Sequence, residues 1–310
     1  MHPFALLMTL VAVAGLAGVR GLPAAADTPA ARFWEQALPG SPMPEAIAEL
    51  VQTGIDHSPL KERYAAGAPY LLPSAFCLRY TVNCPPPRGA AESSVPGLFF
   101  HEAQLARKGS AMTVAMPPSA VQPILPRDAA ARAPFADAAA VLAAFGIPPR
   151  SPEAEQVSDT LSECSAPPLA GEQEACATSL EATVGAAARM LGGGPMWAAA
   201  SALPREGLPL RAYTVAAVSA LEGDRHVACH DAPFPYAVFQ CHMAATQAPT
   251  KAYVVTLSGG GQEVAMAALC HRDTSNWNPA HPAFETLHTK PGGAPVCHFM
   301  PYANLLFGVK

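Results

Sequence analysis

Four of the eight cysteines in this chain of 310 residues are followed directly by a histidine. The four dipeptides are Cys229-His230, Cys241-His242, Cys270-His271 and Cys297-His298. They are separated by residues 231–240, 243–269 and 272–296, which are gaps of 10, 27 and 25 residues. Zinc fingers and zinc ribbons instead use Cys-x2-4-Cys and His-x3-5-His knuckles. The spacing therefore excludes those small zinc folds and indicates another use of cysteine next to histidine.

The adjacency of the two residues has a geometric consequence. Successive side chains of a β-strand point to opposite faces, so an extended Cys-His dipeptide sends its sulfur and its imidazole in opposite directions. If such strands pair, the sulfurs can gather on one face and form disulfides. The imidazole nitrogens are then left on the other face, where they are ligands suited to copper or zinc. The alternative is that the four histidines are ordinary core or surface residues beside structural disulfides.

The N-terminal residues predict the compartment. Phe4 to Val19 is an apolar run of 16 residues without charge, shorter than the roughly 20 residues of a membrane span. Ala24-Ala25-Ala26 then offers a cleavage site before Asp27. We expect a signal peptide over 1–26, the alternative being a buried apolar helix. The mature chain is then expected in the secretory pathway with no membrane span, where its cysteines form disulfides.

The charge composition argues against nucleic acid as a binding partner. The net charge is −5 and no run of Lys or Arg occurs, so nothing favours binding to nucleic acid. Residues 27–96 are predicted to form a variable leader and linker, with one amphipathic helix over 44–55 and a stiff Pro85-Pro86-Pro87 segment. Cys77 and Cys84 lie in this leader, and a local disulfide is their simplest interpretation.

Residues 97–310 are predicted to form the main domain, of α+β class. Short strands are expected at 98–100 and 111–116, followed by helices over 135–145, 152–164 and 173–191, the first of them buried nearly all round. Short β-like runs follow at 213–218, 236–239, 252–257 and 264–269, with a hairpin turn over 258–262. A helical part followed by antiparallel strands is typical of α+β domains.

The dipeptide pattern CH-x10-CH-x27-CH-x25-CH resembles the signature of the plant BURP-domain proteins. Phe99-Phe100 resembles the opening of that domain, and Cys164 with Cys176 resembles its additional cysteine pair. Residues 235–239 and Trp277-Asn278-Pro279 also match. The resemblance covers about 97–308, together with a short segment that contains Phe33 and Trp34.

The resemblance implies a secreted plant protein of the apoplast or vacuole, with a disulfide-stapled domain. Cys164 and Cys176 are expected to pair, and Cys229, Cys241, Cys270 and Cys297 are expected to pair among themselves. Some members of the family are linked to seed, pollen and stress biology or to the cell wall. Others are copper-dependent peptide cyclases that use dioxygen to crosslink a Trp or Tyr of their own chain. In those enzymes the histidines bind copper, which here implies His230, His242, His271 and His298.

Two functions from different classes follow as expectations. The first is oxidative crosslinking of the chain's own leader or of another peptide. The second is a non-catalytic role, with cell-wall components as expected partners. The leader contains no repeated core peptide, and Asn304 and Phe307 stand where members often have His and Trp. Two further candidates to complete a copper site are His226 and His281, which could equally be hydrogen-bonded structural residues. Trp34 is interpreted as an apolar anchor of the leader in preference to a crosslinked side chain.

Overall fold

The computed structural model describes residues 28–55, 97–119, 121–168, 171–244 and 249–310. The helices are α1 (Pro29–Ala37), α2 (Glu45–Ile55), α3 (Arg127–Ala130), α4 (Ala138–Phe145), α5 (Pro152–Ser165), α6 (Leu180–Leu191) and α7 (Pro282–Thr286). The strands are β1 (Phe99–Phe100), β2 (Ala111–Met116), β3 (Gln173–Ala177), β4 (Met196–Ala199), β5 (Leu208–Ala220), β6 (His226–Ala232), β7 (Val238–Met243), β8 (Thr250–Gly259), β9 (Gln262–His271), β10 (Val296–Phe299) and β11 (Leu305–Val309). The predicted signal peptide, the Cys77–Cys84 disulfide and the triple proline lie outside the described residues. No helix within the described ranges is long and apolar enough to cross a membrane.

The strands form two antiparallel sheets, which confirms the predicted α+β class. The first sheet has the order β1-β10-β9-β8-β5-β2, and the second has the order β3-β7-β6-β11-β4. β8 and β9 form the expected hairpin, in which Gly259 faces Gln262 across a turn made by Gly260 and Gly261. Both turn glycines have positive φ angles, as a tight hairpin requires.

Two predictions about the helical part are wrong. Residues 173–191 are not one helix, because Gln173–Ala177 is a strand that pairs with β7 and the helix begins only after Ser179. The Ser179 side chain accepts a hydrogen bond from the Ala182 amide, which is the usual N-cap arrangement. α4 is also not buried all round: Val141 and Phe145 face the core, while several of its alanines are exposed.

The strands that carry the first and last dipeptides were not recognised from periodicity. Every residue of β10 is buried and all but one residue of β6 are buried, so neither shows an apolar–polar alternation. A strand that is covered on both faces gives a continuous apolar pattern and is easily missed in a short segment. These two strands nevertheless hold half of the dipeptide histidines.

The two sheets pack on each other through a small buried cluster. Ala228 of β6 and Leu306 of β11 come from the second sheet, and Ala252, Ala267 and Leu269 come from the first. The three alanines among these residues allow the sheets to approach closely. The cysteines of the four dipeptides belong to a different and larger cluster, which also contains the buried face of α6 and the two leader helices.

The leader helices α1 and α2 pack on the domain. The buried indole of Trp34 donates a hydrogen bond from Nε1 to the carbonyl of Ser41 at 2.8 Å. The carbonyl of Leu50 in α2 accepts from the Ile124 amide at 3.2 Å. The Glu49 carboxylate pairs with Arg205 and accepts a hydrogen bond from the Tyr302 hydroxyl. These contacts agree with the interpretation of Trp34 as an anchor.

Candidate metal centre

Three disulfides are formed by the six cysteines of the described domain that the sequence singled out. Cys229 pairs with Cys241 across β6 and β7, and Cys270 pairs with Cys297 across β9 and β10. In both pairs the cysteines lie directly opposite each other, with Cα atoms 3.9 Å apart. Cys164 at the end of α5 pairs with Cys176 of β3. The four dipeptide sulfurs are therefore divided between two sheets and do not gather on one face of a single sheet.

The histidines of the four dipeptides meet between the sheets. The ring of His230 lies 5.4 Å from that of His242 and 5.6 Å from that of His298, measured between centroids. The ring of His271 lies 6.0 Å from His242 and 5.4 Å from His298. The four imidazoles thus form a closed ring, which we call the histidine ring. Residues two positions apart on a strand share a face, so His230 lies on the same face as Ala228, and His271 on the same face as Leu269. Ala228 and Leu269 belong to the cluster between the sheets.

His271 and His298 are the most deeply buried part of the histidine ring. Their Nε2 atoms lie 3.3 Å apart, and both side chains are almost fully buried. Burial lowers the pKa of His271 to about 3 and holds the pKa of His298 well below its ordinary value, with the neighbouring histidines acting in the same direction. Both imidazoles are therefore neutral at physiological pH, which is the protonation state that binds metal ions.

Hydrogen bonds orient two of the rings. The amide nitrogen of Asn304 donates to the Tyr302 carbonyl, so its Oδ1 accepts from Nδ1 of His230 at 2.8 Å. Nδ1 of His298 donates to the Phe299 carbonyl at 3.2 Å. In both rings the Nδ1 atom then carries a proton. A hydrogen bond from the other ring nitrogen fixes the tautomer in many metal sites.

The imidazole nitrogens of the histidine ring are chemically suitable ligands for copper, although the four rings are not arranged as ligands of one ion. Among the described residues, no three His, Cys, Asp or Glu side chains converge in a geometry that would hold a metal ion. The imidazoles largely stack face to face, with interplanar angles of 9° to 25° for three of the four neighbouring pairs. His271 and His298, whose Nε2 atoms lie 3.3 Å apart, would hold the ion, and the rings of His230 and His242 would have to rotate to join them.

His226 and His281 do not join the histidine ring. Nδ1 of His226 lies 2.8 Å from the Thr250 hydroxyl and Nε2 lies 3.1 Å from the Glu222 carbonyl, so both ring nitrogens have protein partners. His281 caps α7, where its Nδ1 accepts from the Ala283 amide. Its ring packs on Trp277 at 4.7 Å. Both residues are explained by hydrogen bonds within the protein, which was the alternative interpretation.

Sequence reasoning missed several neighbours of the histidine ring. Trp277 contacts His271 with ring centroids 5.0 Å apart. Glu174 of β3 lies directly opposite His242, and its carboxylate accepts from Gln240 at 3.4 Å. Glu172 accepts a hydrogen bond from the Trp277 side chain. Burial, and after it the charge of Glu174, raises the pKa of Glu172 to about 7. Only pairing of β3 with β7 brings these carboxylates near the histidines, and no local signal in the sequence indicates that pairing.

Comparison with known proteins identifies the domain. The family model "BURP domain" matches residues 98–309. BURP domain-containing protein 13 of Oryza sativa subsp. japonica is 45% identical over 229 residues, which cover 71% of this chain and 55% of that protein. Protein RAFTIN 1A of Triticum aestivum is 44% identical over 226 residues, covering 71% and 57%. BURP domain-containing protein 5 of Oryza sativa subsp. japonica is 39% identical over 282 residues, covering 87% and 83%.

The chain thus spans a little more than half the length of the first two relatives, and these relatives are plant proteins. The family match covers the histidine ring and all three disulfides described above. On the extent of this match, the chain belongs to the BURP domain family.

Proposed function

We propose that this BURP domain binds copper through His230, His242, His271 and His298 and acts as an oxidative crosslinker of peptide side chains. The observation that carries the proposal is the histidine ring, to which each of the four dipeptides contributes one imidazole. Imidazole is a good ligand for copper. Bound copper would supply one-electron redox chemistry with dioxygen. The expected substrate is the leader of the chain or a separate peptide.

The residues of the chain support this role in two ways. The cross-strand disulfides fix the strand pairs whose opposite faces carry the histidines, so that the rings are brought together before any metal binds. Asn304 and the Phe299 carbonyl orient the His230 and His298 rings through hydrogen bonds to their Nδ1 atoms. Burial keeps the ring interior poor in water, which strengthens electrostatic interactions there.

The second candidate is a non-catalytic protein of the apoplast or vacuole that binds cell-wall components or another protein. One specific observation favours it: Trp34, the tryptophan of the leader, is buried and hydrogen-bonded as an anchor and is not presented to the histidine ring. The secretory location is proposed with either function, because three disulfides need an oxidising compartment to persist.

Copper content tests the proposed site. The purified chain, loaded with copper and freed of excess metal, is expected to retain copper stoichiometrically by elemental analysis. The double variant His271→Ala/His298→Ala is expected to lose most of it, while its disulfides remain intact by peptide mapping. His288→Asn is the matched control, because His288 is exposed and has a positive φ that Asn tolerates. Equal copper content in the double variant and the control would contradict the metal site.

A mass measurement separates the two functions. In a crosslinking reaction, a bond forms between a ring atom and a second side chain, two hydrogens leave as protons, and their electrons pass to dioxygen. The leader peptide of a copper-loaded, aerated sample is therefore expected to lose the mass of two hydrogens. Tyr64, Tyr70 and Tyr80 are the side chains to follow, since Trp34 is engaged as an anchor. An anaerobic sample is the control. An unchanged leader in the aerated sample would exclude autocatalytic crosslinking and favour the second candidate.

A further inference from the structure

A narrow cleft lies beside β6, at the residue that follows His230. Its walls are formed by the end of β2 with the residues after it, by the loop before β5 and by the loop before β11. They include Met116, Pro118, Leu203 and Pro301. Asp231 also lines the cleft. Its volume is about 30 Å³, which accommodates the tip of one side chain and is too small for a sugar or a nucleotide.

Asp231 is the unusual member of this lining. It is 7% exposed, and within the described residues no hydrogen bond or ion pair to its side chain is found. Its neighbour His230 points to the other face of β6, so the carboxyl group does not belong to the histidine ring. A carboxylate removed from water without a hydrogen-bonding or charged partner is strongly unfavourable. The fold therefore retains, in an otherwise apolar cleft, a group that a donor from outside would stabilise.

The other polar groups of the cleft already have partners within the protein. The Tyr302 hydroxyl donates to Glu49 of α2, and Asn304 bonds to His230 and to the Tyr302 carbonyl. The Ser119 hydroxyl oxygen accepts from the Val121 amide. The nearest basic group in these contacts, Arg205, is engaged by Glu49 and by the Val121 carbonyl. The recognition chemistry left in the cleft is thus one carboxyl group surrounded by proline, methionine and leucine side chains.

We propose that this cleft binds a primary ammonium group carried on an apolar stem, such as a lysine side chain of a peptide. The ammonium would pair with Asp231, and its methylene chain would lie against Met116, Leu203 and the prolines. The small volume favours an ammonium over the larger guanidinium of arginine. Copper is not needed for this binding, since Asp231 and the histidines face opposite ways.

Methionine NMR on the metal-free full chain tests the site. The methyl carbons of methionine are labelled with ¹³C, and Met116 is assigned from the loss of its signal in Met116→Leu. Titration with n-butylammonium, the analogue of a lysine side chain, is expected to shift the Met116 signal saturably while buried Met266 stays unchanged. The neutral analogue 1-butanol is expected to bind about tenfold more weakly, as a charge-assisted contact is lost. Equal affinity for the two compounds would overturn the proposal.

Variants test whether Asp231 supplies the charge that binds the ammonium group. Asp231→Asn keeps the size of the side chain and is expected to weaken binding of n-butylammonium about tenfold. Glu263→Gln is the matched control, because Glu263 is an exposed carboxylate on β9, outside the cleft lining, and its loss is expected to change nothing. If Asp231→Asn fails to fold, Pro118→Trp at the exposed rim blocks the cleft instead and is expected to abolish the Met116 shift. An undiminished shift in either folded variant would also overturn the proposal.

Discussion

The two halves of the histidine ring are built on one plan but lie in different surroundings. His230 and His242, the first pair, flank the Cys229–Cys241 disulfide in the second sheet. His271 and His298, the second pair, flank the Cys270–Cys297 disulfide in the first sheet. In each case a cross-strand disulfide lies on one side of two antiparallel strands, and two stacked imidazoles with centroids 5.4 Å apart lie on the other.

The neighbours of the two pairs differ. The first pair has polar neighbours: Asn304 bonds to His230, and Glu174 lies opposite His242. The second pair is almost fully buried and lies against Trp277. The same local arrangement of Cys and His thus yields one polar and one apolar half. We infer that burial keeps the imidazoles of the second pair neutral, while the first pair differs from it by its polar neighbours.

The largest expected effect comes from removing the disulfide of either half. Replacing both cysteines by alanine avoids an unpaired thiol. The loop-entropy model gives a loss of about 3 kcal/mol in unfolding free energy for Cys229/Cys241 and about 3.5 kcal/mol for Cys270/Cys297. The difference arises because these cysteines are 12 and 27 residues apart in sequence. Urea denaturation of the two double variants measures both values.

The order of the two losses is the informative result. A larger loss for the Cys229/Cys241 variant would mean that native packing around the second sheet, and not loop length, determines the contribution of the disulfide. In that case the two halves would differ in stability for reasons beyond their histidine neighbours.

The next effect is a pH dependence that belongs to the second pair. Histidine in an unfolded chain takes up a proton near pH 6.5, whereas the lowered pKa of His298 keeps the folded ring neutral. Below about pH 6.5 the unfolded state therefore binds more protons, and stability is lost as the pH falls. Relative to His298→Gln, the metal-free wild-type chain is expected to lose about 1.4 kcal/mol per pH unit between about pH 6 and 4.

Denaturation at several pH values gives this slope. Taking the difference from His298→Gln cancels the opposite contribution of Glu172, whose raised pKa makes stability fall as the pH rises towards 7. A slope in His298→Gln equal to that of the wild-type chain would contradict the apolar surroundings assigned to the second pair.

The sequence predicted the parts of this site that local geometry determines. An extended Cys-His dipeptide must separate sulfur from imidazole, and the hairpin over 258–262 follows from its glycines. Which strands pair is decided by long-range packing, so the division of the dipeptides between two sheets was not predictable. The same holds for β3, where the prediction of a helix over 173–191 was overridden by pairing with β7.

The polar neighbours were the hardest part to predict. In the sequence, Asn304 is notable only because members of the family often have His at this position. Its hydrogen bond to His230 joins residues that are 74 positions apart. Asp231 is adjacent to a dipeptide but lies on the face of β6 opposite to His230 and lines the cleft. Contacts of this kind depend on how β6, β11 and the loop between β10 and β11 come together, which short-range patterns do not encode.

The smallest expected effect tests the polar half through Asn304. Asn304→Ala removes the acceptor of His230 Nδ1 and the donor to the Tyr302 carbonyl, so a loss of about 1 to 2 kcal/mol in unfolding free energy is expected. The exposed Asn276→Ala serves as control and is expected to change stability by less than about 0.5 kcal/mol. Nitrogen-15 NMR of the imidazoles is expected to show a mixture of tautomers for His230 in Asn304→Ala, while His298 keeps its proton on Nδ1 because the Phe299 carbonyl remains. An unchanged His230 tautomer would show that Asn304 does not orient the first pair.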